Sequence, residues 1–142
     1  MLKKIPKNLS PELIKVLMEM GHGDELVIAD GNFPSARIGQ RVIRADGLGG
    51  NEILESILEV FPLDTKYSSE QVFLMEVTPG DDYQPEIWQD YENTLKESGE
   101  DYTLDYIERF EFYERAKDAF AVIATSEEAL YANVILRKGV VL

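Results

Sequence analysis

The stretch Glu25-Leu26-Val27-Ile28-Ala29-Asp30 decides how this 142-residue chain folds. Its apolar run is short and almost continuous, which is typical of a strand that is buried on both faces of a sheet. A helix precedes the strand, because Ser10-Pro11 suit an N-cap and a first helical position, and apolar residues then recur at positions 13, 16, 17 and 20. The pattern therefore predicts a helix that leads into a buried strand.

Further strands and helices alternate along the rest of the chain. The sequence predicts strands at 41–45, 71–77, 103–108, 121–124 and 133–136, and helices from Asn51 to a stop at Pro62, at 85–98 and at 111–119. Residues 31–40 are rich in turn formers and are predicted as a loop. The alternation predicts the α/β class, with one domain over residues 1–142 and a mainly parallel or mixed central sheet that carries helices on both faces.

The composition limits the partners and the chemistry. The chain carries 27 acidic and 14 basic residues, so its formal net charge is −13. Nucleic acids are bound mainly through Lys and Arg, and this charge therefore argues against them and against anionic lipid surfaces, and favours a neutral ligand. No apolar run approaches the roughly 18 residues of a membrane span. The chain has no cysteine, which excludes disulfides and thiolate catalysis.

The charged start of the chain, Met1–Asn8, is not followed by the apolar stretch of a secretory signal. A helical pattern follows it instead. We therefore expect a cytoplasmic protein with neither a membrane partner nor a nucleic-acid partner.

The only histidine lies in the string Gly21-His22-Gly23-Asp24-Glu25, directly before the buried strand. Flanking glycines leave an imidazole open to a ligand, and its ordinary pKa near 6.5 suits proton exchange at neutral pH. A histidine here could equally cap the C-terminus of the preceding helix. The string alone leaves both roles open. Its spacing does not match a zinc site or a calcium loop, so no metal is expected.

Three further places could bind a ligand. Asp30 ends the buried strand, where α/β proteins commonly bind ligands, although an Asx turn is the more usual explanation of an Asp-Gly pair. Arg109 stands at an element boundary and offers a fork of donors, while the nearby spacing predicts a surface ion pair between Glu111 and Arg115. Tyr131-Ala132-Asn133 precedes the last strand and offers a phenol and an amide.

Taken in order, these strings resemble the RbsD/FucU family of monosaccharide mutarotases, and specifically its L-fucose branch. The resemblance spans nearly the whole chain, and Gly21–Glu25 together with Ile43-Arg44-Ala45-Asp46-Gly47-Leu48 is its most specific part. The second string favours the fucose branch over the ribose branch. Gly31-Asn32 departs from the family pattern, which affects the expected shape of that loop.

The resemblance implies an isomerase that interconverts the α and β anomers of a free sugar, without a cofactor or a metal. It implies that His22 is the proton donor. It also implies that the sugar hydroxyls are bound by Asp30, Arg109, Tyr131, Ala132 and Asn133. By the same resemblance Asp30 could also tune the imidazole, and the segment 131–133 could supply the second proton-transfer group. The alternatives are a ribose-type pyranase, which interconverts pyranose and furanose forms, and a non-catalytic monosaccharide-binding protein.

One geometric conflict follows from these assignments. If residues 25–29 form one straight strand, His22 and Asp30 lie roughly 16 Å or more apart, at about 3.3 Å per residue. A monosaccharide cannot bridge that distance. The resemblance implies a homo-oligomer with sites at subunit contacts, as a decamer of stacked pentameric rings, and we therefore expect each site to combine residues of two subunits.

Overall fold

The computed structural model describes all residues from 1 to 142, and its six strands form one sheet. The elements follow in the order α1 (Pro11–Glu19), β1 (Glu25–Ala29), α2 (Ser35–Ile38), β2 (Val42–Ala45), α3 (Gly50–Leu58), β3 (Val72–Met75), α4 (Ile87–Glu97), β4 (Leu104–Ile107), α5 (Arg109–Asp118), β5 (Ala121–Thr125) and β6 (Val134–Arg137). No helix has the length and apolar character that crossing a membrane requires.

The sheet is mixed, with the strand order β2-β5-β1-β6-β3-β4. β6 alone runs against its neighbours β1 and β3, while the remaining pairs are parallel. The carboxyl ends of β1, β3 and β4 therefore meet at the edge of the sheet where β6 begins. This edge is where open α/β sheets bind ligands.

Both faces of the sheet are covered by helices. Along β1, Leu26 and Ile28 pack into the core beneath α1, α3 and α4, whereas Val27 and Ala29 pack into the core beneath α2 and α5. All four side chains are fully buried. The predicted α/β class, with a mixed sheet between two layers of helices, is confirmed.

Apart from shifts of a few residues at the ends of elements, the structure differs from the sequence prediction at two places. Residues 35–38 form one helical turn within the predicted loop, and four residues are too few to display a helical period. The predicted ion pair between Glu111 and Arg115 is wrong. Arg115 instead bonds to Glu25 and lies over the ring of Phe73, 3.8 Å from its centre, because this partly buried site offers a better partner than the surface does.

Candidate active site

A small cleft lies at the carboxyl edge of the sheet, and its volume is about 200 Å³. Ligand sites for drug-sized molecules usually have about 300–1,000 Å³, so this cleft suits a smaller ligand. Four of the predicted ligand-binding residues line it together, although they come from distant parts of the chain: Asp30, Arg109, Tyr131 and Asn133. We call these four residues the pocket half-site.

Asp30 is the buried carboxylate of this cleft, with 5% of its surface exposed. Its backbone N–H donates to Asn133 Oδ1 at 2.8 Å, and its Oδ1 accepts the N–H of Asn32 at 3.0 Å. Burial raises its pKa above the usual range, and the hydrogen bonds from the backbone and from Asn133 offset only part of that rise. Asp30 therefore both forms the Asx turn and presents to the cleft a group that holds a proton more readily than an ordinary aspartate.

Tyr131 is held in an unusual backbone conformation at the mouth of the cleft. Its φ is 56°, in the left-handed region that a bulky residue rarely adopts. The indole N–H of Trp88 donates to its carbonyl at 2.8 Å, and its hydroxyl donates to Asp81 Oδ2 at 2.7 Å. Such a conformation persists only where surrounding contacts hold it, and it recurs at functional sites.

Arg109 is exposed and begins α5. Helix α5 starts there because the side chain of Glu108 accepts the N–H groups of the first turn. The Nε of Arg109 donates to the hydroxyl of Tyr113 at 3.1 Å, and this is the only hydrogen bond that the Arg109 side chain makes within the protein. The terminal nitrogens of the guanidinium are thus available as donors at the wall of the cleft.

Ala132 does not line the cleft, unlike its neighbours Tyr131 and Asn133. It is fully buried, its carbonyl accepts the hydroxyl of Tyr91 at 2.7 Å, and its backbone N–H is among the groups that lower the pKa of Asp30. Its contact with the site is therefore through the backbone, by way of Asp30.

His22 lies at the other end of β1, in the turn after α1, and is not part of the cleft. Its Nε2 lies 3.1 Å from Asp64 Oδ1, and 41% of its side chain is exposed. The N–H of Gly23 donates to the carbonyl of Lys138 at 2.8 Å, which ties this turn to the end of β6. No hydrogen bond joins His22 to α1, so the imidazole does not cap that helix.

Asp64 is buried beneath the imidazole and accepts three hydrogen bonds. They come from His22, from the hydroxyl of Ser68 and from the N–H of Tyr67. Burial acts to raise its pKa, but these hydrogen bonds outweigh it, so the pKa lies below the usual range and the carboxylate stays charged. A carboxylate on Nε2 fixes the ring and leaves Nδ1 without a protein partner. We call His22 and Asp64 the histidine half-site.

Comparison with known proteins identifies the family. The model of the RbsD / FucU transport protein family matches residues 3–141. The chain belongs to this family. It is 53% identical to the fucose mutarotase of Homo sapiens, over an alignment that covers 98% of this chain and 94% of the human protein.

Solved structures of the RbsD/FucU family agree with this assignment. The fucose mutarotase of Streptococcus pneumoniae, crystallised in complex with L-fucose, superimposes with a TM-score of 0.94 at 51% identity, over 99% of this chain and all of that chain. RbsD of Bacillus subtilis, complexed with D-ribose, reaches a TM-score of 0.75 at 28% identity, over 94% of this chain and 95% of that chain. This chain is thus more similar to the fucose-bound structure than to the ribose-bound one.

The structure of this family member does not bring His22 and Asp30 together. Strand β1 separates them and is paired with β6 along its length, from Glu25 opposite Arg137 to Ile28 opposite Val134. The strand has no bend that would fold one end onto the other. Nor do three potential metal ligands come together anywhere in the chain.

Sequence reasoning missed two carboxylates of this arrangement, Asp64 and Asp81. Each lies in a connecting segment without a periodic pattern, and each acts on a residue more than 40 positions away. The single available signal was that a lone exposed histidine needs an orienting partner, which does not say where in the chain that partner lies.

Proposed function

We propose that this chain is an L-fucose mutarotase, an isomerase that interconverts the α and β anomers of free L-fucopyranose. The observation that carries the proposal is a small polar cleft around Asp30, in a chain that matches an L-fucose-bound mutarotase over 99% of its length. The lower identity to the ribose-bound relative favours the fucose reaction over a pyranase reaction.

The reaction needs two proton transfers and no change of oxidation state. A proton reaches the ring oxygen and another leaves the anomeric hydroxyl, the bond between C1 and the ring oxygen breaks, and the open-chain aldehyde forms. Rotation about the C1–C2 bond and reclosure give the other anomer and return both protons. Positioned acids and bases typically contribute about 10²–10⁴-fold to such a step.

The pocket half-site suits binding of the sugar. Arg109 offers only hydrogen-bond donors, and Asp30 offers carboxyl oxygens, with a pKa that burial raises above its usual range. Asn133 is 4% exposed and braces Asp30, while Ala132 supports the same carboxyl group through its backbone. Tyr131 completes the mouth of the cleft. We assign these five residues to sugar binding in these direct or supporting roles.

The histidine half-site suits proton delivery. His22 is the proton donor in this proposal, and the charged Asp64 orients its imidazole. Since β1 separates the two half-sites, His22 of one subunit acts on a sugar that is held in the pocket half-site of a neighbouring subunit. An assembly of this kind fits a decamer of stacked pentameric rings, in which residues 1–142 act as one domain. We also propose a cytoplasmic location for this isomerase.

Exchange NMR tests the function directly. Saturating the H1 signal of α-L-fucose transfers magnetisation to the β signal at the rate of anomer exchange, and we expect the protein to accelerate this exchange strongly over buffer. D-Ribose and D-galactose at equal concentration serve as comparison sugars. Faster pyranose–furanose exchange of ribose would favour the pyranase, and L-fucose binding without any acceleration would favour a sugar-binding protein.

A further inference from the structure

The hydroxyl of Tyr131 has a single proton and can therefore donate one hydrogen bond. It is donated to Asp81 Oδ2 at 2.7 Å. The other oxygen of Asp81 accepts the N–H of Tyr83 at 2.9 Å, which anchors the carboxylate within its own loop. Asp81 and Tyr131 both line the cleft. The pair therefore stands where a bound sugar would meet it.

A phenol whose proton is committed can only accept a further hydrogen bond. The remaining protein contact of this oxygen is long, at 3.4 Å from the N–H of Thr78. The bond to Asp81 is charge-assisted, and such bonds are roughly twice as strong as neutral ones. Hydrogen bonding from Tyr131 also holds the pKa of Asp81 below its usual range, so the carboxylate remains an acceptor at neutral pH.

The main chain of Tyr131 is already fixed by other contacts, so Asp81 is the group that sets the direction of its O–H bond. The left-handed φ of 56° and the indole N–H of Trp88 fix the main chain of Tyr131. The ring of Tyr83 lies 6.0 Å from that of Tyr131, in the same loop as Asp81. The ring also packs against the core beneath α2 and α5, so what remains to be fixed is the direction of the O–H bond, and the carboxylate of Asp81 fixes it.

We propose that Asp81 is a positioning residue, which accepts the hydrogen bond that the Tyr131 hydroxyl donates, so that the phenol meets the sugar only as a hydrogen-bond acceptor. The inference rests on the proposed function for the identity of the sugar. A sugar hydroxyl must then donate to Tyr131, while another accepts from the donor-only guanidinium of Arg109. Two walls of opposite hydrogen-bonding character thus select one orientation of the pyranose.

The test is a double-mutant cycle on L-fucose affinity. Asp81→Asn keeps the shape of the side chain, but its amide can donate to the phenol as well as accept, so the direction of the hydrogen bond is no longer fixed. We expect the dissociation constant for L-fucose to rise about tenfold. In a Tyr131→Phe background the same Asp81→Asn change is expected to leave the dissociation constant within about twofold, because the partner hydroxyl is gone.

Asp82→Asn is the matched control, since the neighbouring Asp82 side chain makes no hydrogen bond or ion pair in the structure and does not line the cleft. Asp82→Asn should bind L-fucose with the dissociation constant of the unaltered chain. The unfolding midpoints of Asp81→Asn and Asp82→Asn should both equal that of the unaltered chain. An equal loss from Asp81→Asn in both backgrounds would overturn the inference, because a loop-stabilising or direct sugar-binding role does not depend on the Tyr131 hydroxyl.

Affinity is the deciding measurement, so the two proposals can fail separately. If the chain binds L-fucose without accelerating anomer exchange, the mutarotase proposal fails, while the double-mutant cycle still tests the role of Asp81 through the dissociation constant. If exchange is accelerated but the cycle is additive, the Asp81 inference fails alone. If the unaltered chain does not bind L-fucose at all, both are overturned.

Discussion

Two buried aspartates at opposite ends of β1, Asp30 and Asp64, have pKa values that are shifted in opposite directions. Asp30 and Asp64 are 5% and 3% exposed. Yet burial dominates at Asp30 and raises its pKa, whereas hydrogen bonds dominate at Asp64 and lower it. The difference follows from their partners, because Asp30 is bonded by backbone amides and Asn133, while Asp64 is bonded by a hydroxyl, an amide and the imidazole of His22.

This contrast separates two tasks that one catalytic site requires. The pocket half-site has a cleft and a buried carboxyl group with a raised pKa, but it has no histidine. The histidine half-site has an oriented imidazole above a fixed anion, but it does not line the cleft. A single subunit therefore contains both half-sites of the proposed site, but they lie apart at opposite ends of β1.

Mixing two inactive variants gives the largest expected effect. His22→Ala and Asp30→Asn homo-oligomers should each lose at least about 100-fold in anomer exchange, because the first lacks the proton donor and the second lacks the buried carboxyl group that binds the sugar. When the two chains are co-expressed, random assembly gives about a quarter of the sites an intact His22 beside an intact Asp30. Exchange NMR on the purified mixture should then recover about that fraction of the normal rate.

The control for this mixing experiment uses two variants of the same half-site. Asp30→Asn co-expressed with Arg109→Ala cannot rebuild a pocket, so the rate should stay at the mean of the two separate proteins. If the His22→Ala and Asp30→Asn mixture behaves in the same way, the site does not combine two subunits.

Asp64→Asn tests the histidine half-site through stability. Loss of a buried charge with three hydrogen bonds should lower the free energy of unfolding by about 1.5–3 kcal/mol near neutral pH. Because the folded-state pKa of Asp64 lies below its ordinary value of 3.8, its contribution is present above that value and is lost as the pH falls through the folded pKa. Urea midpoints at one protein concentration should therefore differ at pH 7 and converge in acid.

Asp30→Asn should have the smallest effect on stability, with the opposite sign. The folded-state pKa of Asp30 lies above 3.8, so its contribution to stability is present below that value and is lost as the pH rises through the folded pKa. An uncharged Asn keeps an acceptor for the N–H of Asn32 and should unfold at neutral pH with a free energy that is equal or higher by about 0.5 kcal/mol. A larger loss than that of Asp64→Asn would contradict the contrast between the two edges.

The sequence predicts those parts of the molecule whose pattern is local. The apolar run at 25–29 predicts a buried strand, and the position of Asp30 at its end predicts the edge where the cleft lies. Arg109 and the segment 131–133 are found in the same way, because each stands where a helix or strand begins. These predictions depend on the order of elements along the chain, which the sequence contains.

The remaining parts depend on contacts that have no local pattern. Asp64 lies beside His22 because its segment packs closely against the end of β6, to which the turn of His22 is also bonded. Gly139 permits this close packing, since a Cβ there would lie 2.8 Å from the Cα of Asp64. Asp81 reaches Tyr131 from a loop. Nothing in the spacing of these residues distinguishes them from the other acidic residues of a chain with 27.

The pairing of β1 with β6 has a consequence for how such a protein can change over time. Glu25 faces Arg137 at one end of the pair and Ile28 faces Val134 at the other, so one ladder spans the gap between the imidazole and the cleft. Inserting or deleting one residue within either strand would turn the side chains beyond that point to the other face. The number of paired residues in β1 and β6 thus sets the distance between the imidazole and the cleft. We expect related proteins to vary in the lengths of their loops while this number stays the same.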